Sequence, residues 1–457
     1  MLHETPALTA ISPLDGRYHD RLVDLRPLVS EFGLIRLRVQ VEVQWLIWLA
    51  THAGLAECPP LSHHARELLL DLYRNFSESD AARVRHIESG INHDVKAVEY
   101  FIREHTEGNV ELAHLREFIH FGCTSEDINN LAFGLMLQTA RQQFLLPALD
   151  EIMDALKHLA HENADVTMLA RTHGQPATPT TLGKEMANVI SRLHRQITQL
   201  IVQPVMGKLN GASGNYNALA FACPEIDWQL LCKNFVSSLG LEWNPYTTQI
   251  EPHDALSEYL GILLRINVIL TDFCRDMWGY ISIGYFRQKK HGNEVGSSIM
   301  PHKINPIDFE NAEGNLGVAN ALLDHMILKL PISRFQRDLS DSTVMRNIGV
   351  AFGHFLLACQ SIVRGIARAE PETEVIHADL GKHWEILAEP IQTLMRRYGL
   401  NAPYEQLKNQ TRGKRLDHAA IQKLINNLPL PEAAKEKLLA LSPETYAGYA
   451  ADLAKRI

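Results

Sequence analysis

LDEIMDALKHL, residues 149–159, places apolar side chains at Leu149, Ile152, Met153, Leu156 and Leu159. That is the i, i+3, i+4, i+7 spacing of an amphipathic helix, whose 3.6-residue turn lines such positions up on one stripe. The period recurs outward from this stretch. Met186, Val189, Ile190, Leu193, Ile197, Leu200 and Ile201 form a second stripe. A third runs from about Ala255 to Ile283 through Leu260, Leu263, Leu264, Val268 and Ile269. A fourth begins near Pro306 and continues through Leu316, Ala319, Leu322, Leu323, Met326 and Ile327, and a fifth covers about Val350 to Ala367. Alternating, strand-like stretches are scarce. Five long helices predict an all-α protein built on a long central bundle. Several of these helices are apolar on more than one face, as helices in a bundle or an oligomer interface are. The central helices are therefore expected to associate between subunits.

The ends differ from the middle. Residues up to about 112 read as shorter helices, with a break at Pro59-Pro60 and a polar segment near Ser77 to Asp80. From about Glu370, short helices are separated by Pro371, Pro390, Pro403, Pro429, Pro431 and Pro443. Proline lacks an N–H and clashes with the preceding turn, so each marks a start, break or kink. Three parts are expected: an N-terminal helical domain (1–112), a central long-helix bundle domain (113–368) and a C-terminal helical domain (369–457). The length of 457 residues agrees, at roughly 150 residues per domain.

Charge narrows the function classes. Lys plus Arg number 44 and Asp plus Glu 53, a net charge of −9, which disfavours a general nucleic-acid binder. An anionic small molecule is not disfavoured, because a few local cations can bind one. The six cysteines (58, 123, 223, 232, 274 and 359) form no C-x-x-C pair, so reduced and mostly buried thiols of a cytosolic protein are expected. No signal peptide is indicated, and no unbroken apolar run reaches the ~18 residues of a membrane span. LGILLRINVIL, for instance, is broken by Arg265. P-loop, dinucleotide-binding, H-E-x-x-H and G-x-S-x-G motifs are absent.

Four segments have the makings of chemistry. In KKHGNEVGSSIMPHKINPIDFENAEGNLG, Lys289 to Gly317, a polar Gly-containing loop runs into a helix. Asn305 suits the N-cap, Pro306 the first helical position and Asp308 the first turn. The roughly +0.5 charge of a helix N-terminus and the nearby Lys303 ammonium would together hold a carboxylate. A surface loop with a well-capped helix fits the same residues equally well. In ARTHGQPATPTTLGKE, 170–185, His173 sits in a turn-rich stretch before a long helix, where a loop histidine can transfer protons near neutral pH. In FGCTSEDINNLAFG, 121–134, Thr124 and Ser125 followed by Glu126 and Asp127 read first as a helix cap. In SRFQRDLSDSTVMRN, 333–347, Arg334, Arg337 and Arg346 interleave with Ser340, Ser342 and Thr343. Guanidinium forks beside hydroxyls suit a phosphate. A surface salt-bridged through Asp338 and Asp341 is the plainer reading. SPLDGRY (12–18) and NHDVKAVEY (92–100) are two further polar stretches.

At these residues the chain resembles the fumarase/aspartase superfamily of lyases. The superfamily's loop G-S-S-x-M-P-x-K-x-N-P is matched throughout Gly296 to Pro306. Two further regions match in the same order, at Thr124-Ser125 with Asp127 and Asn129, and at Arg171 to Pro176. Within the superfamily the chain is similar to the adenylosuccinate lyases in their longer bacterial form. The stretches 12–18, 92–100, 124–130, 300–311 (with His302) and 337–347 all fit that branch. The likeness is weakest after about residue 370.

The resemblance implies a three-domain fumarase/aspartase-like fold whose central bundle forms the core of a homotetramer, with each active site assembled from three subunits. It implies a cytoplasmic C–N lyase of purine synthesis that needs no metal and no organic cofactor. Fumarate would be eliminated from adenylosuccinate, giving AMP, and from the succinyl-carboxamide imidazole ribotide SAICAR, giving AICAR. By the same resemblance Ser297 is the general base, His173 the general acid and Glu310 the carboxylate that orients the histidine. Lys303, Asn305, Thr124 and Ser125 would hold the succinyl carboxylates. Arg17, Tyr18, Arg337, Ser342 and Arg346 would hold the nucleotide and its phosphate, with Asn92, His93, Asp94 and Gln249 as further contacts. Nucleic-acid and membrane partners are not expected. The rival readings are another lyase of the superfamily, acting on malate, aspartate or argininosuccinate, and a non-catalytic helical scaffold.

Overall fold

The five stripes fold as the helices Leu146–Glu162, Leu182–Val202, Asp254–Ser282, Ile307–Lys329 and Ile348–Arg368. The computed structural model describes residues 7–289, 299–300, 302–411 and 416–457. Stripe residues such as Leu149, Ile152, Leu156, Leu193, Leu260 and Leu316 are fully buried. Ile201 and Val268 are instead about half exposed, on faces that this chain alone does not cover. Of the C-terminal prolines, Pro403 opens a helix and Pro431 stands at the N-cap of Glu432–Leu439. Five cysteines are buried and Cys123 is partly so; none is paired. The stretch Ser340–Arg368 is the most apolar of the long helical segments, though polar residues interrupt it. It is long and apolar enough to cross a membrane, with mean hydropathy 1.4 in its best window, yet 72% of that window is buried inside the protein. Its apolar side chains have the protein core as their surroundings.

Two compact units make up the fold. The first takes residues 1–149, 196–268 and 314–358, and the second takes 150–195, 269–313 and 359–457.

In the first unit, helix Glu31–His52 is buried along most of its length and packs on helix Ser125–Ala140. Ser30 caps it by accepting the Gly33 N–H. A Cβ on Gly33 would meet the Leu28 carbonyl oxygen at 2.2 Å, so only glycine allows the preceding turn to fold back this closely. Trp45 is buried and donates its indole N–H to the Phe121 carbonyl at 3.1 Å. Helix Ser125–Ala140 is clasped to the segment 208–211 by a buried ion pair. Lys208 Nζ lies 2.8 Å from Asp127 Oδ1, and neither side chain reaches solvent. Asp127 also accepts the Asn210, Gly211 and Thr124 N–H groups, at 3.0, 3.1 and 2.8 Å. Asn130 completes the clasp with a reciprocal pair of bonds to the Lys208 backbone.

In the second unit the turn-rich stretch around His173 is a β-hairpin. Strand β1 (Thr167–Thr172) pairs antiparallel with β2 (Gln175–Thr181), from Thr167 opposite Thr181 to Thr172 opposite Gln175. His173 and Gly174 are the two turn residues, with φ of 55° and 71°. Positive φ at both places is the turn whose twist matches that of paired strands. β-Branched threonines favour the strands, and a two-stranded ribbon is all edge, so Pro176 and Pro179 cost no interior ladder bond. Asp379 anchors the hairpin near its turn, bonded by the Arg171 guanidinium and by the Tyr285 hydroxyl at 2.7 Å. Leu169 enters an apolar cluster with Leu380, Leu387, Ile391, Met395 and Ile425.

Asp127→Asn leaves a buried ammonium without its counter-charge and is expected to cost about 3–5 kcal/mol. A chemical-denaturation midpoint equal to the parent's would show that the clasp is not needed. A Cβ at position 183 would meet the Ala160 carbonyl oxygen at 2.3 Å and the Ala164 Cα at 2.7 Å. Gly183→Ala should therefore lower stability by about 1–3 kcal/mol, measured as an earlier thermal transition.

Candidate active site

In the first unit, a corner between two helices presents three of the expected residues in succession. Asn92 ends helix Glu78–Ile91 in the left-handed conformation, φ 54°, which asparagine tolerates better than most residues. His93 then caps helix Asp94–Thr106, its Nδ1 accepting the Lys96 N–H at 3.1 Å. A ring nitrogen that accepts carries no hydrogen, so in the neutral ring the proton sits on Nε2. That Nε2 lies 3.5 Å from Ser125 Oγ. Thr124 is the N-cap of helix Ser125–Ala140, as its sequence predicts, and its N–H is held by Asp127. The two acids after it, Glu126 and Asp127, are buried instead of facing solvent.

Asp94 receives two guanidiniums. Arg38 Nη2 donates to its Oδ2 at 2.7 Å and Arg346 Nη2 at 3.3 Å. Burial opposes ionisation of Asp94, but Arg38, the Val95 N–H and Arg346 outweigh it and hold the carboxyl below its usual range. Arg346 also donates to Ser342 Oγ at 2.6 Å and lies 3.5 Å from Glu31. Arg337 pairs with Glu126 at 2.8 Å and faces Asp341 at 3.5 Å. Burial pushes the Glu126 carboxyl up despite Arg337. Asp341 moves the other way: burial opposes its charge, but His253, Arg337 and the Ser342 N–H prevail. One cavity is lined by Arg38, Glu126, Asn129, His253, Arg337 and Ser342, among others.

The remaining first-unit residues lie around this group. The Gln249 N–H donates to the Gln336 carbonyl, next to Arg337, and its side chain donates to the Ala212 carbonyl. Arg17 and Tyr18 stand at the end of a turn that begins at Ser12. Arg17 is exposed, and the Arg21 guanidinium lies 5.7 Å from the Tyr18 ring. Ser12, Leu14 and Asp15 of the same turn line a second cavity with Glu31 and Arg346. Arg334, by contrast, is 80% exposed and pairs locally with Asp338. The Ser340 hydroxyl and N–H and the Arg334 N–H hold that carboxyl far below its ordinary range.

The second unit carries the residues expected to do acid–base work. His173 projects from the hairpin tip, exposed and without a hydrogen-bond partner among the described residues. Ser297 lies outside the described residues. Lys303 is exposed, and its N–H donates to the Met300 carbonyl. The helix that follows starts at Ile307, one residue beyond the expected start. Its first bonds run from the Phe309 and Glu310 N–H groups to the Pro306 carbonyl. Proline can supply that acceptor as readily as it can follow a cap, so Asn305 stands just before the cap and Glu310 falls in the first turn. Glu310 Oε1 accepts the Trp278 indole N–H at 3.1 Å. The neighbouring Asp308 is buried against Arg364 and Arg368, at 3.2 and 3.3 Å.

Sequence reading missed Arg38, Glu126, Asp341 and His253 as parts of the site. Arg38 carried no distinct signal, since it shares the stretch FGLIRLRVQVEVQWL, residues 32–46, with Arg36, Gln40, Glu42 and Gln44. His253 had none, although it is buried at a positive φ of 68° between Glu251 and Asp341.

Known proteins match this chain along its length. A lyase family model matches residues 16–320, and an adenylosuccinate lyase C-terminal model matches 333–447, across the region where the motif likeness is weakest. The adenylosuccinate lyase of Haemophilus influenzae is 53% identical, covering 98% of this chain and 99% of its own. That of Escherichia coli (strain K12) is 54% identical over 98% of both chains. That of Vibrio cholerae is 51% identical over 99% of this chain and 100% of its own. Among solved structures, a fumarate lyase from Mesorhizobium sp. BNC1 superposes with a TM-score of 0.76 at 18% identity, covering 95% of this chain and 97% of its own. The 3-carboxy-cis,cis-muconate lactonizing enzyme of Pseudomonas putida superposes at 0.71 with 20% identity, covering 95% and 96%. The fold is thus the all-α fumarase-like one, and the chain belongs to the adenylosuccinate lyase family of C–N lyases that release fumarate.

Proposed function

We propose that this chain eliminates fumarate from adenylosuccinate, giving AMP, and from SAICAR, giving AICAR, as a soluble cytoplasmic enzyme of purine synthesis. One observation carries the substrate assignment: Arg337, Ser342 and Arg346 are gathered in one unit with His93, Asp94 and Ser125. Of the superfamily's substrates considered above, only the succinyl nucleotides bring a phosphate. Guanidinium forks and hydroxyl donors are the groups that bind one. Gln249, Arg17 and Tyr18 would contact the nucleotide from the neighbouring loops, and Asn92 from the corner before His93.

The chemistry asks for a base, a cradle for charge and an acid. Ser297 takes the proton next to the substrate carboxylate. Lys303, Asn305, Thr124 and Ser125 hold the succinyl carboxylates as negative charge builds up on one of them. His173 protonates the leaving nitrogen as the C–N bond breaks, which yields fumarate and the free amino group. The hairpin supports this role by presenting the imidazole on a short, register-fixed turn. Glu310 would orient the histidine of a neighbouring subunit, since within the chain its described partner is Trp278.

Members of the superfamily are typically oligomeric. The finer assignment is a homotetramer whose active sites each draw on three subunits, keeping the division of the chain at about 112 and 368. Exposed apolar side chains on the long helices, among them Ile201, Val202, Val268 and Leu328, support such an assembly.

Arg346→Ala should raise the KM for adenylosuccinate by roughly 10–100-fold, the worth of a charge-assisted contact, as read in an ultraviolet assay of fumarate release. An unchanged KM would remove the phosphate assignment. Ser297→Ala and His173→Ala should each lower kcat by about 10²–10⁴-fold while the oligomer persists in gel filtration. Mixing the two inactive proteins under subunit exchange should then restore part of the activity. Continued inactivity, once exchange is demonstrated, would count against shared sites.

A further inference from the structure

We propose that Arg38 is a positioning residue for the nucleotide phosphate: it neutralises Asp94 and so leaves the Arg346 charge free for the substrate. The inference rests on reading Arg346 as a phosphate ligand and adds a residue to that site. Arg38 lies within helix Glu31–His52 with only 2% of its side chain exposed. A guanidinium so buried is costly unless every part of it is matched by a partner. Two partners have ideal geometry. Arg38 Nε donates to Asn129 Oδ1 and Nη2 to Asp94 Oδ2, both at 2.7 Å.

The Asp94 oxygen that takes the Arg38 bond is the one that faces Arg346, 3.3 Å away. Arg346 also has Glu31 at 3.5 Å. Two carboxylates and two guanidiniums therefore cancel. Without Arg38 the group carries one net negative charge, and Arg346 stands between two uncompensated carboxylates that compete with an incoming phosphate. Arg38 prevents this by taking the shorter bond to Asp94, so that Arg346 Nη2 stands off at 3.3 Å while its Nη1 donates to Ser342 Oγ at 2.6 Å. Arg38 also ties together three chain segments of the site, at Asp94, Asn129 and, through Asp94, Arg346. It lines the inner cavity with Arg337 and Ser342.

The test compares product inhibition by AMP, which has a phosphate, with inhibition by fumarate, which has none. Arg38→Met removes the charge at similar length. It should raise the AMP inhibition constant and the KM for adenylosuccinate on the order of tenfold, while the fumarate constant and kcat stay near the parent's. Arg38→Lys, which keeps the charge and loses the fork, should fall between the two. Equal weakening of AMP and fumarate, or a fall in kcat alone, would mean general distortion of the site and overturn the proposal; so would an unchanged AMP constant. If Arg38→Met does not fold, Asn129→Ala releases the guanidinium from its second anchor. It should show the same AMP-selective loss in smaller measure, and a non-selective loss or none overturns the proposal. Arg346→Ala separates the two levels. If it leaves AMP inhibition intact, the phosphate reading itself fails; if it weakens AMP while Arg38→Met does not, only the role of Arg38 is lost.

Discussion

The clasp between Asp127 and Lys208 is the constraint on which the first unit depends. Moving either charge out of water alone is prohibitive, and the pair repays that cost through its further hydrogen bonds, among them the one from the Lys208 ammonium to the Gly211 carbonyl at 3.0 Å. Asp127 collects three backbone N–H groups besides the ammonium, from residues 124, 210 and 211. One carboxylate therefore fixes the start of helix Ser125–Ala140 and the turn after residue 208 at the same time. The Thr124-Ser125 hydroxyls owe their placement to that anchoring. So does the approach of Ser125 to His93, since the two lie on different helices.

Around this anchor the site is a set of charges held in balance rather than a single basic patch. The chain carries a net charge of −9, and the guanidiniums proposed for the phosphate face carboxylates: Arg346 with Asp94 and Glu31, Arg337 with Glu126 and Asp341. Such pairing keeps unliganded guanidiniums ordered and compensated. It also makes affinity depend on how firmly each carboxylate is held elsewhere, which is where the buried Arg38 and His253 enter.

The long helices were legible because their period is strong and extends over more than four turns. The helix caps at Thr124 and near Asn305 were legible within a residue, the precision with which helix ends are defined. The hairpin at His173 was not, because its strands are short and Pro176 and Pro179 interrupt them. Those prolines signalled a loop, whereas a ribbon with two edges accommodates them. The individual polar segments of the site could be read as chemistry or as surface, and only the resemblance chose between these. Their supporting shell was hidden for a different reason. Glu126 and Asp341 look like solvent-facing charges in sequence, and Arg38 gains its meaning only from Asp94 and Asn129, which are 56 and 91 residues away.

The two-residue turn at His173-Gly174 makes the histidine a matter of counting. The register shifts once, between Leu169 and Arg171, and then closes with Arg171 opposite Pro176 and Thr172 opposite Gln175, so these last two pairs put the imidazole at the tip. One residue added between that irregularity and the turn would move a threonine or glutamine to the tip and turn the side chains to the opposite face. The end of the hairpin can therefore exchange side chains far more readily than it can change length, and a proton donor there is inherited with the register of the last two pairs.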